Sequence, residues 1–356
     1  MVLDLTLTTK MWVVVVQSRD YWIKRSELNL TTQEKKAEEY LKSLLNTYDK
    51  SKDVFDKELS IFYQKYAINN SLSYAEAQKL LSMSELSKFK DSLDEYIKEA
   101  RLYSNDPAYI KKLENMSIRA RVRRIEAFKL NIQHEVEMLT SKHDSNTGIL
   151  LKNIYEDSYY KSIWTVQTGF QVGLAFDKLN SQVIEKVIKT KWLGENYSDR
   201  IYNDKEKLVR TIETELSQSF ITGKSGQDTA KRVSKRLDIS YNNAIRLVRT
   251  ESNHISNESF AEGLVASKIV EKYEFLSTLD NLTSHICQSM DGLKFKLSDR
   301  QIGINFPPML PNCRSTTIPF FSDEVSPERI ARDSKGKTYY VDGGMDYNTW
   351  KEKYVK

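Results

Sequence analysis

The chain has 356 residues, enough for about two domains, and 40% of them are hydrophobic and 29% charged. A net charge of +5 and a pI near 8.8 are too mild for a dedicated nucleic-acid binder, and two cysteines exclude a disulfide scaffold. Glycine (12) and proline (6) are scarce, which favours long helices over a strand-and-turn architecture.

In chain order, residues 1–20 read as an atypical N-terminal extension whose sharpest feature is the apolar run Met11–Val16. That run is too short and too poorly flanked for a signal peptide, and no run reaches the roughly 18 apolar residues of a spanning helix. No membrane partner is expected. Residues 21–142 read as a helical N-terminal region. Between Ala37 and Tyr66 the residues Tyr40, Leu41, Leu44, Leu45, Tyr48, Phe55, Leu59, Phe62, Tyr63 and Tyr66 recur mostly three and four apart. Ser73 with Glu76 is a capping-box start for a helix over Tyr74–Leu81. A second helix is expected over Glu85–Tyr103, and a long one over Ala108–Leu139. Residues 143–149 (HDSNTGI) read as a polar hinge, with His134 and His143 on the surface.

Residues 150–240 form a helical middle region. Gly169 and Gly173 lie four apart there, a spacing that can admit a close helix approach. Residues 180–204 are a polar excursion. Ser225 with Asp228 marks a capping box for Gln227–Leu237, and Ile239-Ser240 separates it from a long helix over Tyr241–Ser267. After Lys268 the character changes. Ile269–Leu276, Leu293–Leu297 and Ile318–Phe321 are strand candidates, with turns at Gly292 and Pro307-Pro308. Residues 241–321 therefore read as a separate module and 322–356 as a polar tail. The fold class is α+β, mostly helical in its N-terminal two-thirds with a small C-terminal α+β module.

Both cysteines, Cys287 and Cys313, lie in that module. With His285, and with Asp280 or Asp291, they could ligate zinc. They could also form a disulfide. The leading reading is two free thiols that pack two loops together. A Cys–His catalytic pair with His254 or His285 has no supporting spacing. Arg249, Thr250, Glu251, Asn253 and His254 form a polar stripe on a helix. It is either an anion or nucleotide site or, preferably, a buried network joining the helix to the strands. Arg119, Arg121, Arg123, Arg124 and Lys129 form the densest basic patch, able to contact phosphates of double-stranded DNA without reading sequence. Glutamates close by make a solvated mixed-charge face an equal reading. A looser basic run comprises Lys186, Lys189, Lys191 and Arg200. Phosphate-loop, dinucleotide-fingerprint, HExxH and GxSxG patterns are missing, so no cofactor and no resident metal are expected.

The block Arg246–Phe321 resembles the Mu F-like head morphogenesis domain of tailed bacteriophages. The likeness rests on RTESNHISN around Arg249, Thr250, Glu251 and Asn253. It rests also on Asp280, Thr283, Ser284, Cys287, Asp291 and Gly292 in D-x-x-T-S-x-x-C-x-x-x-D-G, and on Gly303, Pro307-Pro308 and Pro311-Asn312-Cys313-Arg314-Ser315-Thr316. The helical segment Tyr21–Leu139 resembles the N-terminal region of phage minor capsid proteins. The resemblance implies a virion minor head protein at the capsid interior or portal vertex, present in host cytoplasm during assembly. Its implied partners are the portal, other head proteins and packaged DNA, including DNA ejection. Two positions depart from many relatives, Leu310 in place of His and Ser284 in place of Cys, and both weaken an inherited metal site. The family has also been grouped with ADP-ribosyltransferase-like folds. That implies an enzymatic alternative in which Arg249 and Glu251 would hold a nicotinamide dinucleotide, although the full catalytic set cannot be placed here.

Overall fold

The computed structural model describes residues 17–69, 117–176, 178–221, 225–321, 328–332, 337–342 and 345–354. Its elements are α1 (Arg19–Asn69), α2 (Ser117–Phe170), α3 (Ser181–Ile188), α4 (Tyr197–Ile221), α5 (Gly226–Ala266), β1 (Lys272–Leu276), α6 (His285–Met290), β2 (Lys294–Lys296), β3 (Thr316–Phe320), β4 (Glu328–Arg332), β5 (Thr338–Asp342) and α7 (Tyr347–Tyr354). The fold is α+β, with the helices concentrated in the N-terminal part and small antiparallel sheets near the C-terminus. Two compact units share the chain: Met1–Glu38, Ile149–Trp192 and Arg249–Lys356 in one, Glu39–Gly148 and Leu193–Val248 in the other.

The second unit is an antiparallel bundle built from segments of α1, α2, α4 and α5. Between neighbouring helices the residue numbers of the contacts rise along one helix as they fall along the other. Phe62 packs on Phe128 and Tyr40 on His143 between α1 and α2. Lys205 bonds Glu137, and Gln133 bonds Glu213, between α4 and α2. Asp204 accepts from Ser240, and Glu215 from Arg232 and Arg236, between α4 and α5. Tyr48 meets Ser240, and Lys52 meets Asp238, between α5 and α1. The periodic residues Leu41, Leu44, Tyr48, Phe55, Leu59 and Phe62 are all buried, each contributing about 2 kcal/mol of burial. Leu45 is instead exposed, and the side chains of Tyr63 and Tyr66 lie outside the described residues, as do the helices expected at Tyr74–Leu81 and Glu85–Tyr103.

Two expected breaks are absent. Residues 143–149 continue α2 as helix, and α5 runs through Ile239-Ser240. The polar residues that suggested a hinge are satisfied by the bundle. The Tyr40 hydroxyl lies 2.7 Å from His143 Nδ1, and the Thr147 hydroxyl donates to the Tyr40 oxygen at 3.2 Å. His143 is therefore buried rather than on the surface, and burial lowers its pKa to about 4. At the second break Ser240 donates to Asp204 at 2.7 Å. His134 is exposed as expected. The 180–204 excursion holds α3, capped by Asn180, and α4 already begins at Tyr197.

The first unit packs segments of α1, α2 and α5 against the sheet β2-β1-β3, whose strands are all antiparallel. Its core joins Trp22, Ile23, Val166, Phe170, Phe260, Leu264, Tyr273, Phe306 and Ile318. Gly169 is a close approach: a Cβ there would stand 2.4 Å from the Trp22 ring, whereas Gly173 meets nothing within 4 Å. Helix α1 begins at Arg19, inside the expected extension, because Arg19 pairs with buried Glu274 of β1. β1 and β2 are shorter at their first residues than the apolar runs that marked them, and β3 begins two residues earlier. Pro319 sits in β3, at the sheet edge, where no ladder N–H is demanded of it. The tail pairs β4 with β5 and adds α7. Val341, Met345, Tyr347 and Trp350 pack on Leu279.

Candidate functional site

The polar stripe of α5 is buried. Thr250, Glu251, Ser252, Asn253, His254, Ser256 and Asn257 are each at most 8% exposed, while Arg249 is exposed. Polar groups taken from water need partners, and here loop backbone supplies them. Asn253 and Asn257 donate to the Ser315 carbonyl at 3.1 and 3.3 Å, Thr316 donates to Asn257 at 2.9 Å, and the Thr250 hydroxyl accepts from the Asn312 N–H at 3.0 Å. Glu251 accepts from the Trp192 indole at 3.0 Å, and His254 lies against the same ring, centroids 4.6 Å apart. Trp192 comes from the polar excursion, and only its aromatic character could have marked it in the sequence.

The loop that receives these bonds is shaped by its residues. The Cys313 N–H bonds the Leu310 carbonyl at 3.0 Å, with Pro311 second and Asn312 third at φ 63°. That is the sequence of a type II turn, in which proline presets the first corner and asparagine tolerates the left-handed second one. Pro311 and Asn312 are exposed, and Cys313 is turned inward.

Asp280 is the hub of the other arm. It receives Arg314 through both guanidinium nitrogens, at 2.5 and 2.7 Å, and also accepts from the Leu282 N–H and the Thr283 hydroxyl, each at 3.0 Å. Burial pushes its carboxyl pKa up, but Arg314 and these donors outweigh that and hold it below the usual carboxylate value. Ser284 caps α6 by accepting from the Cys287 N–H at 3.3 Å. Asp291 accepts from the Ser277 N–H at 2.8 Å, and Gly292 takes φ +77° in the following turn. Tyr347 of α7 donates to the Asp280 carbonyl at 3.0 Å, which ties the tail to this arm.

The two arms meet at the cysteines, which are free thiols with sulfurs 3.7 Å apart, packed with Phe275 and Met309. His285 is exposed, and among the described residues no group of three His, Cys, Asp or Glu side chains is placed to hold a metal. A pocket of about 420 Å³ opens beside the stripe, lined among others by Gln33, Glu38, Arg249, Ser252, Cys313 and Arg314. Ser252 Oγ and Gln33 Oε1 are buried there with no hydrogen-bond partner among the described residues. Of the basic patch, Lys129 is half-buried on α2. The side chains of Arg119, Arg121, Arg123 and Arg124, on the same helix, lie outside the described residues. Of the looser run, Lys186, Lys189 and Lys191 lie in or just after α3, and Arg200 lies on α4 near Glu195.

The chain thus combines an antiparallel helical bundle with an α+β unit whose buried polar helix bonds the 312–316 arm, which Arg314 ties to the Asp280 arm. Residues 210–318 match the family described as "Phage Mu protein F like protein". The matched segment contains both loop arms and the whole of α5. A relative, the NAD(+)–arginine ADP-ribosyltransferase EFV of Enterococcus faecalis (strain ATCC 700802 / V583), is 24% identical over 290 residues, 72% of this chain. The match spans 58% of that relative's length. No solved structure matches the chain. Among the described residues no helix is long and apolar enough to cross a membrane.

Proposed function

We propose that this chain is a bacteriophage minor head protein that acts in head morphogenesis by binding rather than by catalysis. The Mu F-like match over residues 210–318 is the observation that carries the reading. The chemistry of the segment supports it: polar side chains of α5 bond the backbone of one loop arm, and Arg314 bonds Asp280 across the two arms, as a rigid docking unit requires. The protein would sit at the capsid interior or portal vertex, engage the portal and other head proteins, and contact double-stranded DNA non-specifically through the Arg119–Lys129 patch. In the infected cell it would assemble in the cytoplasm and later leave with the virion. Quantitative mass spectrometry of purified virions and of portal-containing proheads tests this. A few copies per portal are expected, and absence from both preparations overturns the reading.

The activity in the printed name of the E. faecalis relative favours a second reading, an ADP-ribosyltransferase-like enzyme. Two observations weigh against it. About two-fifths of that relative lies outside the match, and Glu251 is 2% exposed and bonded to Trp192 rather than open to a dinucleotide. Incubation of the wild-type protein with labelled dinucleotide decides it, since sustained turnover would establish the enzyme and none would remove it.

A further inference from the structure

The sequence holds two cysteines, and folding places them side by side. Cys287 is fixed by α6 and its Ser284 cap, and Cys313 by the Leu310–Cys313 turn. Both are buried, at 4% and 8% exposure, and their sulfurs are 3.7 Å apart. A disulfide bond is about 2.05 Å long, so these are reduced thiols within a small side-chain movement of bonding. They are not equivalent. Cys313 lines the 420 Å³ pocket, whereas Cys287 does not and lies behind it against Phe275.

We propose that Cys287 and Cys313 form a dithiol modification site that closes to an intramolecular disulfide, with Cys313 attacking first. The oxidant is a low-molecular-weight disulfide entering by the pocket. The hydrogen bond from Cys287 favours a thiolate at Cys313 and opposes ionisation of Cys287, which sets the same order. In the first step the Cys313 thiolate attacks one sulfur of the oxidant. A protein–small-molecule S–S bond forms, the oxidant's S–S bond breaks, and one thiolate leaves and takes up a proton. In the second step Cys287 loses its proton and attacks the Cys313 sulfur, expelling the second small thiol. The two protein thiols are oxidised by two electrons and the oxidant is reduced to two thiols. The product joins α6 to the 309–315 loop across a sequence separation of 26, along the same two arms that Asp280 and Arg314 join by charge.

This inference does not rest on the phage-head reading. The test treats reduced full-length protein with oxidised glutathione near pH 8. The intact mass should fall by two hydrogens without retained glutathione, and thiols titrated in denaturant should drop from two to none. In the Cys287→Ser variant, Cys313 should be trapped as a glutathione adduct, while Cys313→Ser should react roughly tenfold more slowly or less. The proposal is overturned if the folded wild type keeps both thiols or retains two glutathiones without closing. It is overturned equally if Cys313→Ser is modified as fast as Cys287→Ser. Because closure is read on the wild type, the result stands whether or not either variant folds.

Discussion

Replacing Gly263 with alanine sets helix propensity against packing, and the structure decides the sign. Gly263 lies inside α5, where alanine is favoured over glycine by about 1 kcal/mol. Propensity alone therefore forecasts a more stable protein. A Cβ at 263, however, would lie 1.7 Å from Ser162 Oγ and 2.8 Å from the Tyr159 carbonyl oxygen. Ser162 is buried and donates to that same carbonyl at 2.7 Å. Rotating it away forfeits about 1 kcal/mol of hydrogen bonding, and the carbonyl yields only if α2 moves, an overpacking cost of about 1–3 kcal/mol. The balance is a loss of about 1–3 kcal/mol. In urea unfolding followed by tryptophan fluorescence, the midpoint should fall by roughly 0.5–1.5 M at a slope near 2 kcal/mol/M. Gly263→Ala with Ser162→Ala should recover part of the loss, because the 1.7 Å contact goes while those with the Tyr159 carbonyl and the residue 162 Cβ, at 2.8 and 3.1 Å, remain. Gly173→Ala, with nothing within 4 Å, should change stability by less than about 0.5 kcal/mol. A Gly263→Ala protein as stable as wild type would refute the close approach of α5 to α2.

Other perturbations probe the rest of the molecule. Asp280→Ala removes the acceptor of Arg314, Thr283 and the Leu282 N–H, and should cost about 3 kcal/mol in the same unfolding assay. Asn312 holds φ 63°, so Asn312→Ala should lose about 1 kcal/mol while Asn312→Gly stays near wild type. His143 is held neutral by burial, its pKa lowered from 6.5 to about 4. The proton thus binds the unfolded chain more tightly, and stability present above about pH 6.5 is lost as pH falls toward 4. His143→Gln should flatten that part of the stability–pH curve, and an unchanged slope would contradict the burial. Retention on duplex DNA should fall steeply with salt, and Arg121→Glu with Arg124→Glu should weaken it without altering sequence preference. Equal retention removes that patch from DNA contact.

Much of this architecture was legible because local chemistry and global fold agree. The apolar period from Leu41 to Phe62 marks one helix face, and Ser225 with Asp228 forms the capping pair that starts α5. Pro311-Asn312 announces its turn by residue type alone. Where reading failed, the deciding partner was distant. His143 and Thr147 look like a hinge until Tyr40, more than a hundred residues earlier, satisfies them. Arg19 looks like part of a loose extension until it meets Glu274, 255 residues away. A pattern of polarity cannot distinguish a solvated side chain from one whose partner is supplied by another element. The stripe on α5 shows the same difficulty: its residue types admit a ligand site beside the preferred buried network, and only the positions of Ser315, Asn312 and Trp192 show where its bonds go.

The recognised segment is smaller than the unit that folds. Residues 210–318 include Phe260, Leu264, Tyr273, Phe306 and Ile318, but the same core also needs Trp22, Ile23, Val166 and Phe170. Trp22 touches Phe170 and Phe321, with ring centroids 5.8 and 5.1 Å away, and Arg19 neutralises Glu274, which is 3% exposed in the central strand. A fragment of residues 241–356 would lose every one of these partners. It would expose the apolar faces of α5 and the sheet and leave a buried carboxylate uncompensated, a cost of several kcal/mol. That exceeds a large share of the roughly 5–15 kcal/mol by which a domain is stable. The fragment is therefore expected to bind a hydrophobic dye and to show no cooperative urea transition, and its amides should exchange without protection, whereas the full chain protects β1 and α5. A sigmoidal transition and protected β1 amides in the fragment would show that the module folds by itself, and that the first residues of α1 and the last of α2 are accessory to it.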